Sequence, residues 1–252
     1  MDYISNDHGI KLAYNLHLSE NETNNIVILI HEALSDRNNP LFQKLAENLT
    51  CNSIRFDMQG NGDSEGVFSL AGYGKEIDDI HCLVNWARSQ GYKVVGLIGH
   101  GKGANEVMMY SAKYADVPLC VSIAPRYDMK LLPNAVKELL PQIEANGAAQ
   151  INVRGMVLNI EKAAVNDYSH VDMSKVAKNV KAWTCIIHSK ADEEVPYSES
   201  VDLNKLLGKM AFEFHLLENF DHYFTNSDNE VSTLVNNFLT KTLPLLRLKS
   251  LI

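Results

Sequence analysis

The 252-residue chain is poor in cysteine, with four, and none stands close enough to another to form a metal-binding pair. Cys51, Cys82, Cys120 and Cys185 are far apart and mostly lie within or beside apolar runs, a pattern that reads as reduced, partly buried thiols. Clusters of basic residues are also missing. Lys plus Arg number 23 against 31 Asp plus Glu, a net charge of -8, so nothing here would neutralise a phosphate backbone and no nucleic-acid partner is expected. No apolar run approaches the roughly 20 residues that span a bilayer. The first residues, Met-Asp-Tyr-Ile-Ser-Asn-Asp-His-Gly, have neither the basic stretch nor the apolar core of a secretion signal. The expectation is a cytoplasmic protein with no membrane span. Internal repeats and low-complexity linkers are absent as well, so residues 1–252 read as a single domain.

What is present is enough apolar residue, 46%, to bury a large core. Short β-branched runs alternate with helical patterns at Asn25 to Ile30, Ser53 to Phe56, Val94 to Ile98, Leu119 to Ala124, Trp183 to His188 and Phe212 to Leu217. Such alternation predicts an α/β fold with a mostly parallel central sheet and helices on both faces. Ahead of it, Asn6-Asp7-His8-Gly9 is a turn signal between Tyr3 to Ser5 and Ile10 to Leu18, which predicts an antiparallel hairpin at one edge. Ile77, Ile80, Val84 and Ala87 recur at helical spacing before Gly91, and Val231, Leu234, Val235, Phe238 and Leu239 carry a closing helix. The span from about 126 to 181 is too long for a simple connection. With Val136, Leu139, Leu140 and Ile143 at helical spacing, it is expected to be a mostly helical lid inserted after the sixth strand, counting the hairpin as two.

The chemistry-bearing segment is Lys93-Val-Val-Gly-Leu-Ile-Gly-His-Gly-Lys-Gly-Ala, an apolar strand, a corner at Gly99-His100-Gly101-Lys102-Gly103, and the start of a helix. It is the strand-turn-helix Gly-x-Ser-x-Gly of serine hydrolases with glycine in place of the nucleophile. In that arrangement an acid and then a histidine follow on loops after later strands. Asp192, in Ser189-Lys-Ala-Asp-Glu-Glu-Val-Pro196, and His222, in Glu218-Asn-Phe-Asp-His-Tyr-Phe, occupy those places. Each also has a plainer reading, an acidic turn before a helix near Ser198 and a solvated loop histidine. The oxyanion loop should follow the Asn25 to Ile30 strand, at His31-Glu32-Ala33-Leu34-Ser35. The backbone N–H groups of Ala33 and Lys102 are the natural donor pair, with His31, Glu32 and His100 at the pocket. Glu32 would set a negative side chain beside a site meant for negative charge unless it points to solvent.

Four other readings are weaker. The loop Asp57-Met-Gln-Gly-Asn-Gly-Asp-Ser-Glu-Gly66 has neither dinucleotide-binding nor calcium-loop spacing and reads as a structural turn around Asn61-Gly62. Gly96 to Lys102 mimics a phosphate-binding loop, but Gly103 stands where a Ser or Thr should hold magnesium. His31, His100, His188 and His222 lie on separate loops with no close-spaced ligand pair, so no metal and no cofactor are expected. Lys102, as the residue after the corner, is expected to turn away from the site rather than act as a base.

Taken together, Arg55-Phe-Asp-Met-Gln-Gly-Asn-Gly-Asp-Ser-Glu-Gly66 and Gly99-His-Gly-Lys-Gly103 resemble the Arg-x-Asp-x-x-Gly-x-Gly-Asp-Ser and Gly-His-Ser-x-Gly segments of the α/β-hydrolase superfamily. Within it, the chain is most similar to the serine aminopeptidase and monoglyceride-lipase-like esterase branch, over nearly its whole length. The resemblance implies Asp192 as acid, His222 as base, Ala33 and Lys102 as oxyanion donors, and Gly101 as a vacant nucleophile position. It also implies a small apolar ester-like or acyl ligand under the lid. The chain departs from the pattern twice, with Glu32 where Gly follows the strand-end His and Gly101 where Ser stands at the corner. A laboratory-inactivated enzyme would differ at the corner alone, so the pair of changes favours natural loss of the standard chemistry. Three functions remain open on the residues: a pseudoenzyme that binds a small molecule or a protein partner, a hydrolase that is active or that lost only its serine, and His222 as a lone proton shuttle.

Overall fold

The computed structural model describes residues 2–153, 155–227 and 229–249. Strands β1 (Asp2–Ser5) and β2 (Lys11–His17) form the antiparallel hairpin that the turn signal predicts. Asn6 closes it, its side-chain oxygen accepting the backbone N–H groups of His8 and Ile10 at 3.0 Å each. The chain then builds β3 (Asn25–Ile30), α1 (Pro40–Asn48), β4 (Asn52–Phe56), α2 (Tyr73–Ser89), β5 (Lys93–His100), α3 (Lys102–Tyr114) and β6 (Leu119–Ile123). After an insertion come β9 (Trp183–Ser189), α7 (Tyr197–Leu207), β10 (Ala211–Leu217) and α8 (Glu230–Lys249).

The eight-stranded sheet runs β1-β2-β4-β3-β5-β6-β9-β10, and every pairing from β4 to β10 is parallel. Strands buried on both faces read as continuous apolar runs, as Asn25-Ile-Val-Ile-Leu-Ile30 does. Alternate residues feed two cores. Ile26, Ile28 and Ile30 pack with α2 and α3 on one face, while Val27 and Leu29 pack with α1 and α8 on the other. The order of the sheet reverses between β3 and β5, since β4 lies to one side of β3 and β5 to the other. The ends of those two strands therefore open a crevice at the switch point, the place where open α/β sheets set their ligands. His31-Glu32-Ala33 leaves the sheet there from β3, and His100-Gly101-Lys102 from β5.

The insertion between β6 and β9 differs in part from the expectation. It holds the predicted helix, α4 (Asn134–Asn146), and two more, α5 (Lys162–Ser169) and α6 (Met173–Asn179). Between α4 and α5, however, runs a separate antiparallel hairpin, β7 (Ala148–Val153) with β8 (Met156–Glu161). Ala149, Leu158 and Ile160 turn to the core, and polar residues such as Gln150 and Asn159 turn outward. Its apolar runs are broken by Gln150, Asn152 and Asn159 and do not stand out in sequence as the continuous runs of the central sheet do. Gly147 in a left-handed conformation ends α4 and reverses the chain into the hairpin. Among the described residues no helix is long and apolar enough to cross a membrane.

Candidate active site

The corner between β5 and α3 depends on glycine at three positions. A Cβ on Gly99 would lie 2.0 Å from the Gly103 carbonyl oxygen, and one on Gly103 2.1 Å from that of Ile30. The flanking glycines thus let strand and helix cross in contact. Gly101 has φ 53° and ψ -109°, a conformation that strains any side chain, and its N–H is tied to the Ile123 carbonyl at 2.9 Å. In this corner geometry a serine Oγ would normally be lifted off the sheet toward the crevice.

Glu32 fills the space beside Gly101 that a side chain there would need. A Cβ built on Gly101 would fall 1.0 Å from Glu32 Oε2. The same oxygen accepts the backbone N–H of Lys102 at 2.6 Å, one of the two donors expected for an oxyanion. Its other neighbour is His222 Nε2 at 3.7 Å. Rather than pointing to solvent, the Glu32 side chain is 12% exposed. Burial pushes its carboxyl up, but the hydrogen bond and charge of His222, with His100 and the Lys102 N–H behind them, outweigh burial and hold it below its ordinary range.

His222 stands on the loop after β10, and Asp192 on the loop after β9. His222 Nδ1 lies 2.8 Å from Asp192 Oδ2. Asp192 is held in turn by the N–H groups of Glu194 and Val195 on Oδ1, at 2.8 and 2.7 Å. His188, at the end of β9, shares Asp192 Oδ2 at 3.1 Å and reaches the Val195 carbonyl at 2.9 Å through the same nitrogen. That nitrogen therefore carries the proton, and His188 Nδ1 faces the Ser200 hydroxyl at 2.5 Å as acceptor. The Asp192 carboxyl stays far below the carboxylate range, since hydrogen bonds from His188 and His222 outweigh its burial. Burial lowers His222, but Asp192 and Glu32, one on each ring nitrogen, raise it to about 9. At neutral pH this imidazole is thus an imidazolium between two carboxylates, with no lone pair free to take a proton.

The other predicted residues separate by role. Met58 N–H donates to His31 Nε2 at 3.2 Å, so His31 Nδ1 carries the proton and bonds the Glu32 carbonyl at 2.7 Å. His31 pins the loop after β3 from beneath and does not line the cavity at the corner, which corrects its expected place at the pocket. His100 is likewise buried behind the cavity instead of lining it. Its Nε2 contacts the His222 carbonyl at 2.8 Å, and its Nδ1 is buried with no partner. Burial, with the charge of His222, lowers His100 to about 4. Ala33 does line the cavity. Lys102 turns its side chain away as expected, into a buried pair with Glu76 at 2.5 Å and with Glu106 at 3.8 Å. Burial and the neighbouring Glu76 raise the Glu106 carboxyl well above its ordinary value, against the pull of Lys102. Both Glu106 carboxylate oxygens are buried without a hydrogen-bond partner.

The insertion closes the crevice. Arg126, Pro133 and Tyr168 join Tyr73 and Val195 over the corner, leaving only about 10 Å³ of free space there. That is room for about one water. In sequence His188 stood out only as a metal-ligand candidate and its contact with Asp192 was not expected, although a histidine closing the strand before the Asp192 loop was a usable signal; Glu106 was not singled out. Glu106 gave none, being one helical turn past the corner on a helix read only for its start.

No family model and no curated protein matches the sequence. Solved structures do match over nearly the full length. Est1E from Butyrivibrio proteoclasticus, in a structure with bound ferulic acid, is 20% identical over 97% of this chain and 100% of its own, with a TM-score of 0.75. The chain has the α/β-hydrolase fold. Pyrococcus furiosus esterase Pf2001 gives 19% identity, 95% and 89% coverage and a TM-score of 0.72. For alpha/beta hydrolase domain-containing protein 10 from mouse the values are 18%, 95%, 98% and 0.69. At such identities the likeness speaks to fold alone.

Proposed function

We propose that this chain descends from serine esterases, in the aminopeptidase and monoglyceride-lipase-like branch its motifs resemble, and no longer forms an acyl-enzyme. The observation that carries this reading is the overlap of Glu32 Oε2 with the Gly101 Cβ position, 1.0 Å apart. The two departures from the esterase pattern are thus one structural change. Glycine at the corner removes the hydroxyl, and glutamate after the strand-end histidine takes its space and its Lys102 N–H donor. An anion already seated in an oxyanion hole cancels the stabilisation that a tetrahedral intermediate needs. Asp192 and His222 retain the arrangement of a triad acid and base around a missing third member.

The small apolar ester-like or acyl ligand is better matched beside the corner than at it. A cavity of about 580 Å³ lies between Leu34, Pro40 and Leu41 on one side and Tyr223, Phe224 and Thr225 on the other. That volume is in the range of small-molecule sites. The test of the reading is an active-site fluorophosphonate and p-nitrophenyl butyrate. Neither labelling nor turnover above buffer is expected, and a covalent adduct on any residue lining the Gly101 cavity overturns the reading.

A further inference from the structure

We propose that Glu32, His100 and His222 bind a single zinc-like divalent cation at the position the fold otherwise gives to a nucleophile. Each of the three offers an atom within 4.8 Å of those of the other two. Two imidazoles and one carboxylate are a donor set of open zinc sites, which leave a fourth position to water. The sequence reading weighed four histidines and found no geometry among them. The set here uses only two of those histidines, with Glu32 supplied by a different loop.

The surroundings are those of held ligands. A ligating imidazole normally donates its second N–H to a carbonyl or carboxylate, which fixes its tautomer and orientation. His100 makes such a contact from Nε2 to the His222 carbonyl at 2.8 Å, and this leaves its Nδ1 as a buried lone pair with no partner. His222 makes another from Nδ1 to Asp192 at 2.8 Å, and its Nε2 faces Glu32; a cation bound there takes the Nε2 lone pair in exchange for the proton the imidazolium carries, which is released to solvent. Glu32 is itself anchored by the Lys102 N–H. The glycine at 101 supplies the room, since any side chain there would displace the carboxylate. The Lys102 ammonium is turned into Glu76, and the Arg126 guanidinium, which also lines the cavity, is paired with Glu194 at 3.6 Å.

The edge between His222 and Glu32 is slightly open, and the edges to His100 are no longer than 4.8 Å. With bonds of about 2.0–2.1 Å, tetrahedral ligands stand about 3.3 Å apart, and His222 Nε2 is 3.7 Å from Glu32 Oε2. Contraction by a fraction of an ångström closes that edge. The free space of about 10 Å³ at the corner then suits the water of the fourth position. A second cluster, Cys185, Glu213 and His215, meets the same distance criterion. Its Glu213 is already engaged by Lys241 at 2.7 Å and His215 at 3.0 Å, which makes it a control rather than a rival.

The inference goes beyond the loss of acyl-enzyme chemistry and is separable from it, because the fluorophosphonate result does not depend on metal. The experiment is calorimetric titration of the full chain, stripped with a chelator, with zinc chloride, and in parallel with Co²⁺ for its visible absorbance. One zinc per chain is expected, with the intense bands of four-coordinate cobalt. Removing a partner that only orients a ligand typically weakens metal binding about 10–100-fold. That loss is expected for Asp192→Asn, and a larger one for Glu32→Gln and His100→Phe. Cys185→Ser should bind as the native chain does. Circular dichroism and a urea midpoint confirm that each variant is folded, and the near-isosteric Glu32→Gln keeps the test decisive if His100→Phe is not. Absence of stoichiometric zinc binding overturns the proposal, as does binding that survives Glu32→Gln or is lost in Cys185→Ser.

Discussion

Returning serine to the corner should not by itself return activity. In Gly101→Ser the new Cβ would arrive 1.0 Å from Glu32 Oε2, so the carboxylate must leave and forfeit its 2.6 Å bond to the Lys102 N–H. It has little space to leave into, with only about 10 Å³ free at the corner. A displaced carboxylate held about 4 Å from a developing oxyanion repels it by about 4 kcal/mol at an effective dielectric of about 20. That corresponds to about a thousandfold in rate. The strained conformation at Gly101, φ 53° and ψ -109°, adds a folding cost of about 1–3 kcal/mol to any non-glycine residue there. The experiment is a double-mutant cycle of Gly101→Ser and Glu32→Gly, read as kcat/KM for p-nitrophenyl butyrate with urea midpoints alongside. Either single change should stay near the native rate, and the double variant should exceed Gly101→Ser by about a thousandfold, a coupling far larger than independent sites give. If Gly101→Ser alone matches the double variant, Glu32 does not block the site and the account of the corner is wrong.

Other consequences reach beyond the corner. Glu106 has a folded pKa raised above its ordinary 4.5, so the folded state holds more protons than the unfolded one as pH climbs from there. Stability from this group is full below that value and declines as pH rises; Glu106→Gln should therefore flatten the decline and raise the urea midpoint relative to native more at pH 8 than at pH 5. An equal difference at both values would refute the raised Glu106 value. Arg37 is ion-paired to the fully buried Asp57 and reaches Asp63 at 2.7 Å. Arg37→Met strands a buried carboxylate and should cost about 3–5 kcal/mol in chemical denaturation, and a loss below about 1 kcal/mol would count against the pair as a structural tie between the β3 and β4 loops.

The sheet and its order of elements were legible because parallel strands buried on both faces must be unbroken apolar runs, and those at Asn25–Ile30 and Leu119–Ile123 appear as such. The corner was legible for a steric reason, since only glycine permits the approach at Gly99 and Gly103. The places of Asp192 and His222 followed from chain order alone, and the structure brings them to 2.8 Å. The hairpin Ala148–Glu161 was not legible, because its short, polar-interrupted strands pair with each other and not with the sheet. Nor was the direction of Glu32. One sequence position says that a carboxylate exists, but whether it meets water or a backbone N–H depends on two strand ends, β3 and β5, being neighbours across the switch point. Identity and order along the chain determined which groups could gather at the crevice. Only packing decided that Glu32, 69 residues before the corner, would fill the space beside Gly101, because charge and space are settled between segments that sequence does not place side by side.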